Sequence, residues 1–353
     1  MSSDPDSYTP QEVAIGPYHY WRQGFYEMIT YKLVQRKELK DTSMGITSSN
    51  INETLAWMMA INASFLLEFL QIYAIKEGKL SATTSSISML RLLDYAKGAH
   101  NAIRRDMVIL ENQIPLFVLR KKIEVQYSSL ESADDMLQAM LLGFCEELLP
   151  FQILKDIPKI NVSERAHLLD FLYGTIVPKA EQKSEINEVA DDQGEDKQAT
   201  QKYFATNGNI LAISFDTNTT TLHLPSVSLD VNSKVILRNL VAYEASNASG
   251  PLVSTRYTEL MNGIIDTEED VKLLRRKGIL LNRLKSDAEV ANLWNGMSKS
   301  IKLTKVPHLN KVIEDVNNYY NNRLTVRFWK YTKLYVFSSW QFFTLLATIM
   351  LHL

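Results

Sequence analysis

The sequence predicts a mainly α fold: a bundle-like helical domain with a small β unit near residues 209–231 and a membrane helix at its C-terminal end. Three observations predict it. Residues 20–175 read as mostly helical, and helices resume from 233. Between them, the apolar residues of 209–231 alternate with the period of a strand. Last, Leu334–Leu353 reads "LYVFSSWQFFTLLATIMLHL", a 20-residue run without a charged residue. As a helix it is long enough to cross ~30 Å of hydrocarbon.

The first helical part takes in residues 1–177. "NETLAWMMAINASFLLEFLQIYAI" (52–75) is apolar on nearly every face, which predicts a central core helix with Asn52 as its cap. "ADDMLQAMLLGFCEELLPFQIL" (133–154) predicts a second buried helix; its acidic start suits the helix dipole and Pro150 ends or kinks it. "SERAHLLDFLYGTIV" (163–177) predicts a third helix, opening on Ser163 as cap. Residues 178–208 form a linker: 178–201 hold seven acidic residues and almost no large apolar ones, too few to offset the entropy of ordering.

Residues 209–333 carry the β unit and the remaining helices of the same domain. Leu211, Ile213 and Phe215 alternate, as do Leu222 and Leu224, with Asp216–Thr219 at the turn, which is hairpin chemistry. Val227, Leu229 and Val231 continue the alternation. In "TEEDVKLLRRKG" (267–278), Thr267 and Asp270 are spaced as a capping box and Gly278 supplies a left-handed stop. "SDAEVANLWNGM" repeats the start with Ser286 and Glu289. A long helix over 310–333 leads to the membrane segment 334–353. Arg327, Lys330 and Lys333 give that segment a basic flank, and Trp340 lies within reach of an interface.

Composition narrows the function. With 46 % hydrophobic and 22 % charged residues the chain can bury a sizeable core, and its net charge of −2 offers no nucleic-acid surface. The single cysteine, Cys145, lies in apolar "LLGFCEELL" and predicts a buried packing residue. Phosphate-binding, dinucleotide, nucleophile-elbow and zinc-protease motifs are absent, and no two histidines stand at zinc-ligand spacing. No cofactor is expected, and no catalysis.

One stretch asks for an explanation. "DMVILENQIPLFVL" (106–119) sets Glu111, Asn112 and Gln113 inside an apolar run with Pro115 behind them. Proline disfavours helix at Ile114, so a helix over 106–113 ends or kinks there. The break leaves buried carbonyls, and the Asn112 and Gln113 amides carry the donors to satisfy them. Glu111 is expected to meet N–H groups, Arg104 or Arg105. The stretch, from Asp106 through Pro115, therefore reads as a structural hinge and not as a ligand pocket.

Five blocks, in order, resemble those of a plant family catalogued as domain of unknown function 247. They are "YTPQEVAIGPYH" (8–19), "DMVILENQIPLFVL" (106–119), "LRNLVAYE" (237–244), "DTEEDVKLLRRKGIL" (266–280) and "LTVRFWKYTKLYVFSSW" (324–340). Where the family usually has Asp-Gly-Cys-Phe, this chain has Asn62-Ala63-Ser64-Phe65, and its stretch from Lys40 to Asn52 is short. The resemblance implies a membrane-associated plant protein without established enzymatic activity. Some members act in reproductive recognition, including pollen-side determinants of grass self-incompatibility; others are linked to floral sex determination.

Three functions follow as expectations. The first is an anchored recognition protein that binds a protein or peptide partner through loops such as 39–51, 178–208 and 245–256. The second is a membrane-held intracellular regulator of development or signalling. The third is an enzyme, which a pocket lined by converging titratable groups would favour. The basic flank places residues 1–333 in the cytoplasm. Glycosylation sequons at Asn52, Asn62, Asn161, Asn218 and Asn247 matter only for a luminal domain, and Asn62 sits in the core helix.

Overall fold

The computed structural model describes residues 4–19, 51–76, 97–127, 130–151, 160–177, 210–247, 250–297 and 306–322, with Gly78, Met89, Thr344, Thr348 and Ile349 besides. The linker 178–208, the flanking residues Arg327, Lys330, Lys333 and Trp340, and most of 334–353 lie outside the described residues. The described chain is mostly helical, with two small two-stranded sheets.

Four helices of the first half are α1 (Ile51–Lys76), α2 (Lys97–Asp106), α3 (Leu116–Tyr127) and α4 (Leu130–Leu148). α1 packs against α3 and α4, which also pack on each other. Its residues Phe65, Leu66, Phe69, Leu70, Tyr73 and Ala74 are all buried, so the apolar character on every face has a structural cause. Phe69 and Tyr73 meet Phe144 of α4 edge-on, at 6.1 and 5.2 Å between ring centroids. Each such buried ring contributes roughly 2–3 kcal/mol over exposure. α1 is also the described helix long and apolar enough to cross a membrane, but 67 % of its apolar window is buried inside the fold, which makes it a core helix.

α4 lines its core face with Leu137, Leu141, Phe144, Cys145 and Leu148 at helical spacing. Cys145 is fully buried, which pushes its thiol far above the ordinary range. The helix stops at Leu148, short of the expected residue 154, because Pro150 follows; Phe151 instead forms a bridge to Val227.

α5 (Leu168–Ile176) begins five residues after Ser163, and Ser163 does not cap it. Ser163 lies in a 3₁₀ turn (Val162–Glu164) whose cap is Asn161. The cap of α5 is His167, whose Nδ1 accepts the Asp170 N–H at 3.1 Å. Only an unprotonated nitrogen accepts, and burial holds His167 below the ordinary imidazole value. Asn52, likewise, is the second residue of α1 and not a cap outside it.

β1 (Ser214–Asp216) and β2 (Thr221–His223) form the expected antiparallel hairpin. The Asp216 carboxylate closes the turn by accepting from the Asn218 N–H and the Thr219 hydroxyl at 2.9 and 2.6 Å. The third alternating segment does not extend this sheet. β3 (Val227–Leu229) pairs in parallel with β4 (Leu280–Asn282), a strand the sequence reading missed. Between them run α6 (Ser233–Ser246), α7 (Val253–Ile264) and α8 (Glu268–Arg276); α9 (Asp287–Asn295) and α10 (Pro307–Asn322) follow β4.

The capping signals hold in detail. Asp270 accepts the Thr267 N–H at 2.8 Å, Gly278 stops α8 with φ +71°, and Ser286 accepts the Glu289 N–H at 3.2 Å. The chain divides into two compact units, residues 1–212 with 225–306, and residues 213–224 with 307–353. In the second unit α10 packs on β1, with Phe215 and Tyr319 at 5.7 Å.

Candidate functional site

The polar stretch that the sequence singled out is the centre of a buried hydrogen-bond network. α2 ends at Asp106 and α3 begins at Leu116, so residues 107–115 are a turn and not the expected helix over 106–113. The turn's open carbonyls are met as the residue types demand. The Gln113 amide donates to Met107 and Ile109 oxygens at 2.9 and 2.7 Å, and its Oε1 accepts the Leu169 N–H at 3.1 Å. Asn112 Nδ2 donates to the Asp106 oxygen at 3.0 Å. Pro115 forms a bridge to His167, so the turn is also tied to the start of α5.

The network's other half is the N-terminal segment, residues 4–19. Asp106 Oδ2 accepts the N–H groups of Gln11, Glu12 and Val13 at 2.9, 2.6 and 2.9 Å. Asn112 Oδ1 accepts from Ile15 and Gly16 at 2.7 and 2.9 Å, while its Nδ2 donates to the Val13 oxygen at 2.8 Å. From the core helix, Asn62 donates to the Ile15 oxygen at 2.9 Å. Arg105 donates to the oxygens of Asp6 and Thr9 at 2.8 and 2.9 Å. Asn239 of α6 joins both halves, accepting the Leu110 N–H at 2.9 Å and donating to the Ser7 oxygen at 2.8 Å. Three sequence blocks, 8–19, 106–119 and 237–244, thus meet at one place.

Asp106 and Asn112 are fully buried. Burial pushes the Asp106 carboxyl up to about 6, against the pull of the three N–H donors and of Arg105. Glu111 is the exception in the stretch. It is half-exposed and lies 3.5 Å from His19, whereas Arg104 serves Glu147 and Arg105 serves the N-terminal segment, so neither arginine takes up the expected pairing. Asn62, Gly16 and Asn239 went unassigned in the sequence reading. The signal for Asn62 was there, an amide within an otherwise apolar helix.

A second polar feature is a cleft of about 280 Å³ framed by α5, α6 and residues 250–252. Its walls include Arg165, Asp170, Tyr173, Tyr243, Glu244 and Asn247. Asp170 accepts from Arg165 at 3.1 Å, from the Tyr243 hydroxyl at 2.8 Å and from the Ala166 N–H at 2.7 Å. Glu244 accepts the first N–H groups of α7, from Ser254 and Thr255, at 2.6 and 2.8 Å, and the Thr255 hydroxyl at 2.8 Å. Burial nevertheless raises the Glu244 carboxyl above its ordinary range. Both carboxylates therefore hold helix starts in place. Elsewhere, Lys122 of α3 donates to Ser64 of α1, and burial lowers its ammonium below the ordinary value. Among the described residues no group of His, Cys, Asp and Glu has the arrangement of a metal site.

The chain is 37 % identical to the UPF0481 protein At3g02645 of Arabidopsis thaliana, over 99 % of this chain and 86 % of the relative. That alignment spans 469 positions, more than the chain has residues, so it is gapped. A second Arabidopsis thaliana relative, UPF0481 protein At3g47200, is 24 % identical over 90 % of this chain and 75 % of its own length. No solved structure matches. The pattern of the DUF247 family, described as plant protein of unknown function, matches residues 39–353, and the chain belongs to that family.

Proposed function

We propose that the chain is a membrane-held interaction protein that recognises a protein or peptide partner and catalyses no reaction. One observation carries the reading: Asp106, Asn112, Gln113, Asn239 and Glu244, polar residues of the sequence blocks, all bond to backbone groups of their own fold. Residues so committed build a scaffold. A catalytic nucleophile and base must instead face a bound substrate. Partner recognition then falls to loop surface; the expected loop 245–256 narrows to residues 247–252, because α6 runs to Ser246 and α7 starts at Val253, and Asn247 and Gly250 to Leu252 border the cleft.

Support for attachment comes from the uncharged run Leu334–Leu353 and its basic flank at Arg327, Lys330 and Lys333. Thr344, Thr348 and Ile349 within it are helical and exposed. The same flank argues for residues 1–333 on the cytoplasmic side. The resemblance supports a role in reproductive recognition, such as pollen-side self-incompatibility, or else in floral development or signalling.

A second reading, an enzyme, has the cleft behind it, since Asp170, Glu244, Tyr173 and Tyr243 converge there. Against it stands the saturation of both carboxylates by donors of the fold. Crosslinking of the full-length chain in plant membranes tests the first reading. A specific partner should be captured, and charged side chains introduced at Ala248 or Ser249, between α6 and α7, should abolish capture at unchanged melting temperature. Turnover of a small substrate that is lost on substituting Asp170 or Tyr243 in a folded variant would establish the second reading instead.

A further inference from the structure

The end of α8 and strand β4 form one corner of the first unit. The Gly278 N–H bonds to the Arg275 oxygen and the Ile279 N–H to the Leu274 oxygen, both at 3.0 Å, and Gly278 has φ +71°. This is a Schellman motif, and it turns the chain straight into β4, which packs back on α8. Leu274 and Leu280 are buried, whereas Leu273, Arg276, Lys277, Leu281, Arg283 and Lys285 are exposed. Spacing explains the division. Residues 273, 276 and 277 share one helix face, and residues 281, 283 and 285 alternate along the strand and its continuation.

The four cations of this corner, Arg276, Lys277, Arg283 and Lys285, have no ion-pair partner among the described residues. Arg120 and Lys234, by contrast, are paired with Asp134 and Asp4. The carboxylates nearby are already engaged. Glu268 and Glu269 meet Lys272 at 2.9 and 3.6 Å, Asp287 meets Arg275 at 2.8 Å, and Glu289 accepts the Lys285 backbone N–H at 3.1 Å.

Two leucines stand among these cations, Leu273 at 56 % and Leu281 at 54 % exposed. One exposed leucine is ordinary. Leucines set between unpaired cations match a layered surface: charge for a sheet of anionic headgroups, apolar side chains for the boundary beneath them. A free phosphate or a nucleic acid would use the charge and leave the leucines in water, and the net charge of −2 offers no wider basic surface.

We propose that this corner, residues 273–285, docks on the anionic lipid headgroups of the membrane that holds the chain. Leu273 and Leu281 dip into the headgroup boundary, and the four cations lie level with the phosphates. The assignment rests on the membrane-held reading given above and gives the membrane a second hold on the chain, besides Leu334–Leu353.

The test uses the full-length chain with Leu281→Cys carrying a nitroxide label, whose apolar ring stands in for the leucine. Cys145, the single cysteine, is fully buried and stays unlabelled. The chain is reconstituted in phosphatidylcholine vesicles with or without about 30 % phosphatidylserine. Adding phosphatidylserine should lower collisions of the label with a water-soluble nickel complex at least about threefold, while collisions with dissolved oxygen rise. Arg276→Gln with Lys277→Gln should restore most of the nickel accessibility with little change in melting temperature. Equal accessibility in the two kinds of vesicle overturns the proposal, as does shielding that persists in the double glutamine variant. So does shielding by soluble polyglutamate with none from phosphatidylserine, since the corner would then take an acidic protein. Flotation with pure phosphatidylcholine vesicles reads the anchor separately. A chain that floats with them while its label stays accessible in phosphatidylserine keeps the membrane-held reading and loses this one. A chain that floats only with phosphatidylserine, its label shielded, keeps the corner and loses the terminal anchor.

Discussion

Gly16 lies flush against Asn112: a Cβ on Gly16 would stand 3.0 Å from the Asn112 Cα and 2.9 Å from the Gln113 nitrogen. The obstacle is backbone, which is itself fixed by the Asn112 and Gln113 hydrogen bonds. Gly16→Ala should therefore destabilise the protein by about 1–3 kcal/mol, the scale of an overpacked core. Gly263, in the exposed last turn of α7, is the control, because nothing lies within 4 Å of its added Cβ. Gly263→Ala should leave stability unchanged or raise it by up to about 1 kcal/mol through helix propensity. Denaturant unfolding of the two variants side by side decides it; equal midpoints would mean that the N-terminal segment does not pack on the turn in solution.

Asn112 makes four hydrogen bonds, to Ile15, Gly16, Val13 and Asp106. Leucine has the same branching, is somewhat larger and has none of the polar atoms. Asn112→Leu leaves buried partners unsatisfied at about 1–3 kcal/mol each, and the losses should lower melting temperature and accumulation together. The matched measurement is partner binding by the folded fraction. A variant with wild-type stability and lost binding would make the stretch a functional surface.

Asp106 gives the network a pH dependence of predictable sign. Its carboxyl is pushed up from 3.8 to about 6 in the fold, so the native state holds a proton there that the unfolded chain has lost. The resulting contribution to stability is full below pH about 4 and disappears as pH rises through about 6. Asp106→Asn does not titrate, and the other carboxyls cancel between the two proteins. The stability of wild type minus that of Asp106→Asn should therefore fall between pH 4 and 6.5 by roughly 2–3 kcal/mol and stay level above 7. A difference that instead grows with pH would mean that the N–H donors of residues 11–13 outweigh burial and that Asp106 is a carboxylate clamp.

What could be read from the sequence was local. Pro115, with two amides before it, announced a chain break whose carbonyls need donors, and Gln113 supplies them within its own turn. Thr267 with Asp270, Ser286 with Glu289, and Gly278 act on neighbours three or four residues away, and spacing alone exposes them. Partners far along the chain were out of reach. Asp106 could be placed in the hinge, but its partners could not be read, because Gln11 to Val13 arrive from more than ninety residues away. Strand β4 has three residues, too few for alternation to show, and its partner β3 lies about fifty residues earlier. The cleft joins residues near 165 to residues near 245, and neither group stands out alone.

Attachment and orientation make the last prediction, and the sequons provide its internal control. If Leu334–Leu353 anchors the chain, alkaline carbonate should leave the full-length protein in the membrane pellet and release a form ending at Lys330. If residues 1–333 face the cytoplasm, none of the sequons meets the glycosylation machinery. Asn161, Asn218 and Asn247 are exposed, whereas Asn62 is fully buried with its amide on the Ile15 oxygen. A luminal domain would therefore carry glycans on the three exposed sites and leave Asn62 bare, because a glycan there could not be packed in the core. Glycosidase treatment of protein from plant membranes should produce no mobility shift, and protease added outside sealed vesicles derived from the endoplasmic reticulum should digest the domain. A shift removed by Asn→Gln at 161, 218 and 247 would reverse the orientation while keeping the anchor. Carbonate release of the full-length chain would remove the anchor itself, and the partner would then have to be sought in solution.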